Sequence, residues 1–180
     1  TFMFWAKKKK YTFNDTFTEF KKVERVITNQ VALTIEDIEK LLNHQDHVAY
    51  LAIGDDTENS FYTALQANGI KLSPLKISTD MLDAKNYETV IVGIHKMSLY
   101  PGKDGNYGIK PEDIAKLKKL KSVPYVIFVY FGNAYAQKIT CSSRNTIVAY
   151  EDSEYCRNAV AALLSGKINA KGVLPVKVCE

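Results

Sequence analysis

Thr89-Val90-Ile91-Val92-Gly93-Ile94, then a helix opening at Lys110-Pro111-Glu112-Asp113, then Tyr125-Val126-Ile127-Phe128-Val129-Tyr130-Phe131: this stretch decides the fold. Two nearly continuous apolar runs, rich in β-branched residues, flank a segment whose Ile114, Leu117 and Leu120 recur at helical spacing. A strand without polar alternation is buried on both faces, and such strands belong to parallel sheets covered by helices. Proline at a first helical position, with acids beside it, fits the helix start. The loop between the first strand and that helix, residues 100–108, is dense in turn formers.

The same grammar continues in both directions. Upstream, Val48-Ala49-Tyr50-Leu51-Ala52-Ile53-Gly54 is a buried strand closed by glycine, and Asp55-Asp56-Thr57-Glu58-Asn59 supplies capping chemistry for a helix carrying Phe61 and Leu65. Gly69 is the expected stop for that helix. A short strand is predicted over residues 71–77 and a turn or brief helix over 79–85. Downstream, Gly132-Asn133-Ala134-Tyr135 turns out of the central strand, with a glycine and an asparagine that tolerate positive φ. Thr146-Ile147-Val148-Ala149-Tyr150 is a further strand, and Asp152 or Ser153 is the expected cap of a helix over 154–164. Strands alternating with helices of this length predict right-handed βαβ crossovers. The expected fold is α/β: a three-layer α/β/α sandwich on a mostly parallel sheet of five to six strands.

Before residue 48 the pattern is thinner. Phe17, Phe20, Val23, Val26 and Ile27 can share one helix face, and Thr34-Ile35-Glu36-Asp37-Ile38 reads as a capped helix start with Ile38, Leu41 and Leu42 inward. The expected organisation is a basic, aromatic arm or linker remnant over residues 1–20 and one domain over 21–180. Apolar residues make up 46% and charged residues 24% of the 180, the balance of a globular chain. No apolar run approaches the roughly 20 residues of a membrane helix. The net charge of +4 sits within residues 1–22, the arm and the two lysines after it, where six lysines stand against Asp15 and Glu19; the remainder balances. Basicity confined to an arm gives no reason to expect nucleic acid or membrane as a partner. Cys141, Cys156 and Cys179 match no metal-ligand spacing, so no metal or cofactor is expected. They read as free thiols, or as one disulfide with a spare.

Ligands of open parallel sheets sit beyond the carboxyl ends of the strands. The candidate ligand-binding residues are therefore Asp55, His95, Lys96, Asn133, Tyr135 and Glu151. Asp55 could bind a metal or sugar hydroxyl, or simply end a strand before a helix cap. His95 could shuttle a proton or hydrogen-bond locally. His44 and His47 read as solvated loop residues, and Glu151-Asp152 as capping acids. No G-x-G-x-x-G, P-loop or G-x-S-x-G occurs, so phosphoryl transfer, hydride transfer and serine hydrolysis lose their usual handles and no catalytic residue is assigned.

Residues 126–135, residues 145–152 and the ending Ala161-Ala162-Leu163-Leu164-Ser165-Gly166-Lys167-Ile168-Asn169-Ala170-Lys171-Gly172-Val173-Leu174-Pro175-Val176 together resemble a known domain. They are similar to the C-terminal α/β sandwich of family 3 glycoside hydrolases of the bacterial β-N-acetylhexosaminidase and β-glucosidase branch. In that family one strand ends in an F-G-N/S-P-Y turn and the next in V-A-Y, and the domain closes on A-x-G-x-L-P-V. Val90–Lys96 fits the family's strand before a loop facing the active site. The likeness spans roughly residues 20–180, with Ala134 standing where the family has proline.

That resemblance implies a partner, the (β/α)₈ barrel that begins family members and supplies the aspartate nucleophile. A barrel needs about 250 residues, more than this sequence holds. Retaining hydrolysis places two carboxyl-type groups about 5 Å apart around the scissile bond, and no matching nucleophile segment or acid-bearing loop is present. The resemblance therefore implies a non-catalytic C-terminal domain of a β-N-acetylglucosaminidase or β-glucosidase, packed on the barrel and lending loops such as His95, Lys96 and Asn133 to the substrate cleft. It also suggests a periplasmic or extracellular setting. The alternatives are a free-standing module for carbohydrate, another small ligand or a protein, and a small enzyme of other chemistry. The last lacks a visible set of acid, base and nucleophile.

Overall fold

The computed structural model describes residues 48–75, 87–120, 125–141 and 145–172, with Leu174, Val176 and Val178. The arm over 1–20, the helix faces between 17 and 42, His44, His47, the brief helix over 79–85, Cys179 and part of the closing motif lie outside the described residues.

In chain order the elements are β1 (Val48–Ile53), α1 (Ser60–Ala67), β2 (Ser73–Leu75), β3 (Thr89–Ile94), α2 (Pro111–Leu120), β4 (Val126–Tyr130), a 3₁₀ turn (Ala134–Thr140), β5 (Thr146–Val148) and α3 (Glu154–Leu164). Among the described residues all strand pairs are parallel, and the sheet order is β2-β1-β3-β4-β5. The register is unbroken at the centre, from Val48 opposite Thr89 to Ile53 opposite Ile94, and from Val90 opposite Val126 to Ile94 opposite Tyr130. The expected α/β class and the parallel sheet are what the chain forms. β2 and β5 are shorter than the sequence predicts, three residues each.

The chain leaves β1 for β2 on one side, then returns past β1 to β3, β4 and β5 on the other. Crossovers of one hand running in opposite directions place their helices on opposite faces, and the packing agrees. Ala49, Leu51, Ile53, Val90, Val92, Ile94, Phe128 and Tyr130 pack with Leu117 and Leu120 of α2 and with Ile139 of the 3₁₀ turn. Val48, Tyr50, Ala52, Ile91, Ile127, Val129 and Phe131 pack with Phe61 and Leu65 of α1 and Val160 and Leu164 of α3. Alternation along each strand feeds the two cores in turn.

Local signals set the helix ends. Asn59 caps α1, its side-chain oxygen accepting from the amides of Phe61 and Tyr62 at 3.0 Å each. The helix stops where Gly69 (φ +94°) lets its own amide reach Gln66 O and that of Ile70 reach Leu65 O. Ser153, rather than Asp152, caps α3. At the exit from β4, Asn133 is extended (φ −64°, ψ 124°) and caps the 3₁₀ turn, so its tolerance of positive φ is not used there. Gly132 serves a different need: a Cβ on it would lie 3.1 Å from the Cβ of Met97.

Gly93 follows the same logic within β3. It lies on the α1/α3 side, where a Cβ would come within 2.6 Å of His95 Nε2 and 2.7 Å of the Tyr50 hydroxyl. Glycine is tolerated in a strand where something approaches the backbone closely. Elsewhere in a strand, alanine for glycine gains about 0.5–1 kcal/mol. Here the sign reverses, and Gly93→Ala is expected to destabilise the fold by about 2–3 kcal/mol through overpacking, read from the midpoint of urea denaturation.

Candidate functional site

The reversal of strand order falls between β1 and β3, which opens the crevice where ligands of doubly wound sheets sit. Gly54 (φ +80°) ends β1 so close to β3 that a Cβ there would meet the His95 carbonyl oxygen at 2.5 Å. Asp55 and Lys96 therefore emerge side by side, and their charged groups pair at 2.6 Å. Behind them stands Asp152, delivered by the turn after β5.

Asp152 is the centre of the arrangement. Its Oδ1 takes Arg157 Nε at 2.7 Å and His95 Nδ1 at 3.1 Å; its Oδ2 takes the backbone amide of Lys96 at 2.9 Å. Arg157 also reaches Asp55 Oδ2 at 3.4 Å and donates to the Ser60 hydroxyl at the first residue of α1. Lys96 sits in the left-handed region (φ 51°), as does Tyr150 (φ 62°) just before the carboxylate. Such backbone persists only where the surroundings impose it, and at Lys96 the imposing contact is the Asp152 carboxylate.

His95 is buried, 2% exposed. Its ring stacks on Phe131 (4.7 Å between centroids, 13° between planes), and Nε2 lies 2.9 Å from the Tyr50 hydroxyl. Tyr50 accepts in turn from Asn59 Nδ2 at 3.0 Å. An ionised Asp152 can only accept, so Nδ1 of His95 carries the proton and Nε2 accepts from Tyr50. The path Asn59–Tyr50–His95–Asp152–Arg157 thus links the start of α1 to the first turns of α3 through both central strands.

Burial sets the charge states. Desolvation, opposed by Asp152, holds His95 below the ordinary 6.5, so its imidazole is neutral at neutral pH. Burial likewise pushes the Tyr50 phenol up, keeping it a donor. Burial works against the Asp55 and Asp152 carboxylates, yet Lys96 and Arg157 respectively, with nearby backbone amides, hold both below 3.8. Two carboxylates, one ammonium and one guanidinium balance. Among the described residues no buried side-chain polar atom lacks a hydrogen-bond partner.

Of the residues expected from sequence, Asp55, His95 and Lys96 meet here. Asn133 and Tyr135 stand on the next strand's exit: Asn133 Nδ2 donates to Leu99 O at 2.8 Å, and Tyr135 is half exposed. Glu151 is exposed, while its neighbour Asp152 takes the central place. Tyr50, Asn59, Asp152 and Arg157 were missed. Arg157 carried a signal, because a cation in a helix's first turns opposes the macrodipole and calls for a carboxylate partner. Cys141 is disulfide-bonded and Cys156 is free, which selects one disulfide with a spare among the two thiol states expected. Among the described residues no His, Cys, Asp and Glu cluster could hold a metal, and no helix is long and apolar enough to cross a membrane.

The strand order and the strand-end crevice define an open, doubly wound α/β domain. No family model and no curated protein matches the sequence. Among solved structures, a fungal multi-domain family 3 β-N-acetylglucosaminidase that also carries a glucosamine N-acetyltransferase region is similar in fold. Its TM-score is 0.59 at 19% identity, over 76% of this chain and 16% of that one. A family 3 β-N-acetylglucosaminidase from Paenibacillus gives 0.56 at 16% identity, over 75% of this chain and 28% of that one. The likeness is one of fold, and the chain spans less than a third of either protein. Both come from the family whose motifs the sequence resembles.

The charge states fix the acid response. His95 has a depressed folded pKa, so its contribution is complete above 6.5 and declines as the unfolded chain takes up a proton that the folded one resists. The depressed Asp55 and Asp152 contribute above 3.8 and lose that contribution as pH falls further. Folding stability is expected to be level above about pH 7.5, to fall in one step below 6.5 and in another below 3.8. His95→Gln should remove the first step alone, in urea titrations across pH.

Proposed function

We propose that this chain is a non-catalytic domain of a family 3 glycoside hydrolase of the β-N-acetylglucosaminidase or β-glucosidase type. In this reading it packs by the carboxyl edge of its sheet on a catalytic (β/α)₈ barrel and lends strand-end loops to the sugar cleft. The observation that carries it is the state of the crevice. Where an enzyme of this architecture would keep reacting groups open to substrate, the charges of Asp55, Lys96, Asp152 and Arg157 neutralise one another, and His95 is sealed beneath them. A general base must reach the proton it removes, and the buried imidazole reaches only protein groups.

Recognition is thereby displaced to the rim. Leu99 and Tyr100 (71% and 76% exposed) follow β3, half-exposed Tyr135 follows β4, and half-exposed Tyr150 with Tyr155 (88% exposed) follows β5. Tyr125 and Ile168 are exposed away from this edge (61% and 46%), but five large apolar side chains on neighbouring strand exits suit a contact surface. The fold likeness to portions of two much longer β-N-acetylglucosaminidases supports the choice of partner. The loop behind Leu99 is held for presentation. Ser98 N donates to Tyr107 O at 2.8 Å, Asn133 secures Leu99 O, and Lys138 lies over the Tyr107 ring.

The exposed tyrosines also favour a second reading, a free-standing carbohydrate-binding module, since flat amphipathic rings suit sugar faces. A titration with N-acetylglucosamine oligosaccharides, followed by chemical shifts, separates the two. Shifts confined to Tyr100, Tyr135, Tyr150 and Tyr155 in the isolated chain favour the module. For the main reading, the isolated chain is expected to release no p-nitrophenol from p-nitrophenyl N-acetylglucosaminide or glucoside. Turnover lost on His95→Ala would overthrow it.

A further inference from the structure

Tyr50 faces two acceptors. Its hydroxyl lies 2.9 Å from His95 Nε2 and 3.3 Å from Asn59 Oδ1, and with a neutral imidazole the nearer one takes the proton. Asn59 Oδ1 is not an idle alternative, since it holds the amides of Phe61 and Tyr62 and so caps α1. We propose that Asn59, Tyr50, His95 and Asp152 form a proton-operated switch, in which protonation of His95 turns the Tyr50 hydroxyl to Asn59 and so reaches the N-terminus of α1.

The proton balance is simple. One proton from solvent binds Nε2, which changes from acceptor to donor. Two donors cannot share a hydrogen bond, so the Tyr50 oxygen accepts from Nε2 in place of Asn59 Nδ2, now 3.0 Å away, and its own hydrogen points at Asn59 Oδ1. Tyr50 keeps its proton throughout, because burial makes the phenolate costly. No bond to carbon, no redox change and no second ionisation is involved.

The surroundings permit a charged state without dictating one. From the β1 exit Asp55 favours the imidazolium; from the turn before α3 Asp152 favours it and is its direct partner. Arg157 of α3 opposes it, and Lys96, next in sequence, is drawn off by Asp55. From the end of β4, Phe131 offers a ring face, against which a cation is attracted. Phe61 of α1 is the other aromatic neighbour, its ring centroid 6.1 Å from that of His95. The four flanking charges cancel, so uptake of one proton takes the cluster from neutral to +1, a state a buried site retains only under acid. This inference stands apart from any glycosidase partner, since every group in it belongs to the described chain.

The test uses the full chain without sugar or partner and follows the His95 ring nitrogens and the Phe61 and Tyr62 amides by NMR from about pH 8 to about pH 4, which brackets the titration of a histidine. The expected result is an Nδ1–H tautomer at neutral pH and a His95 midpoint below 6.5, with the two amides shifting at that same midpoint. In Tyr50→Phe, His95 should still titrate while the amides hold still. Should that variant not fold, Asn59→Ser replaces it: serine keeps a capping oxygen but withdraws the acceptor from Tyr50, and the amides should again stop following. Amides that stay fixed while wild-type His95 titrates overturn the switch. So do an Nε2–H tautomer at neutral pH, and unfolding that precedes His95 titration.

Discussion

A single carboxylate, Asp152, holds the carboxyl edge of the sheet together. It gathers a ring nitrogen from His95, a main-chain amide from Lys96 and a guanidinium from Arg157, three donors from two distant stretches of the chain. Taking polar groups out of water is costly unless each finds a partner, and removing one member of such a set leaves the others exposed to that cost. Much of the neighbouring sequence follows from this demand. Ser153 takes over the helix cap, leaving Asp152 free. Lys96 accepts a left-handed backbone, Gly54 brings the end of β1 up to His95, and Gly93 clears the space in which Tyr50 and His95 meet.

Topology explains why the node lies where it does. Reversal of strand order between β1 and β3 parts the flanking crossovers and leaves a crevice at the ends of two neighbouring strands. In this chain the crevice is closed by its own side chains. Arg157 spans it from α3 to Asp55 and to Ser60 at the start of α1, so the two helices on one face are tied at their N-termini by charge as well as by apolar packing. The inner sheet end is consequently self-contained, and among the described residues Leu99, Tyr100, Tyr135, Tyr150 and Tyr155 come to the surface around it.

The architecture was largely legible in the sequence because it rests on signals that act locally. Continuous apolar runs such as Val126–Tyr130 can satisfy a buried parallel strand and little else. Asn59, Gly69 and Pro111 mark helix ends by conformations open to few other residues. The polar node was only half legible. Strand ends pointed to Asp55, His95 and Lys96, yet the partner that matters most is 57 residues from His95 in sequence. Period and propensity carry no information about such a pairing. Glu151 and Asp152 are alike as residues, and the one that faces inward is the one that finds His95, Lys96 and Arg157, none of them its neighbour in sequence. The 3₁₀ turn after β4 escaped for a related reason: Gly132 and Asn133 have several turn conformations open to them, and packing against Met97 selects one.

The account depends on Asp152 and Arg157 acting as one unit rather than as two surface charges that happen to lie near each other. A double-mutant cycle of Asp152→Ala, Arg157→Ala and the pair, measured by urea denaturation at pH 7.5 and low salt, addresses that directly. A coupling free energy of about 1–3 kcal/mol is predicted, the range of residues that share a network. Effects that add to within about 0.5 kcal/mol, as independent sites do, would contradict it.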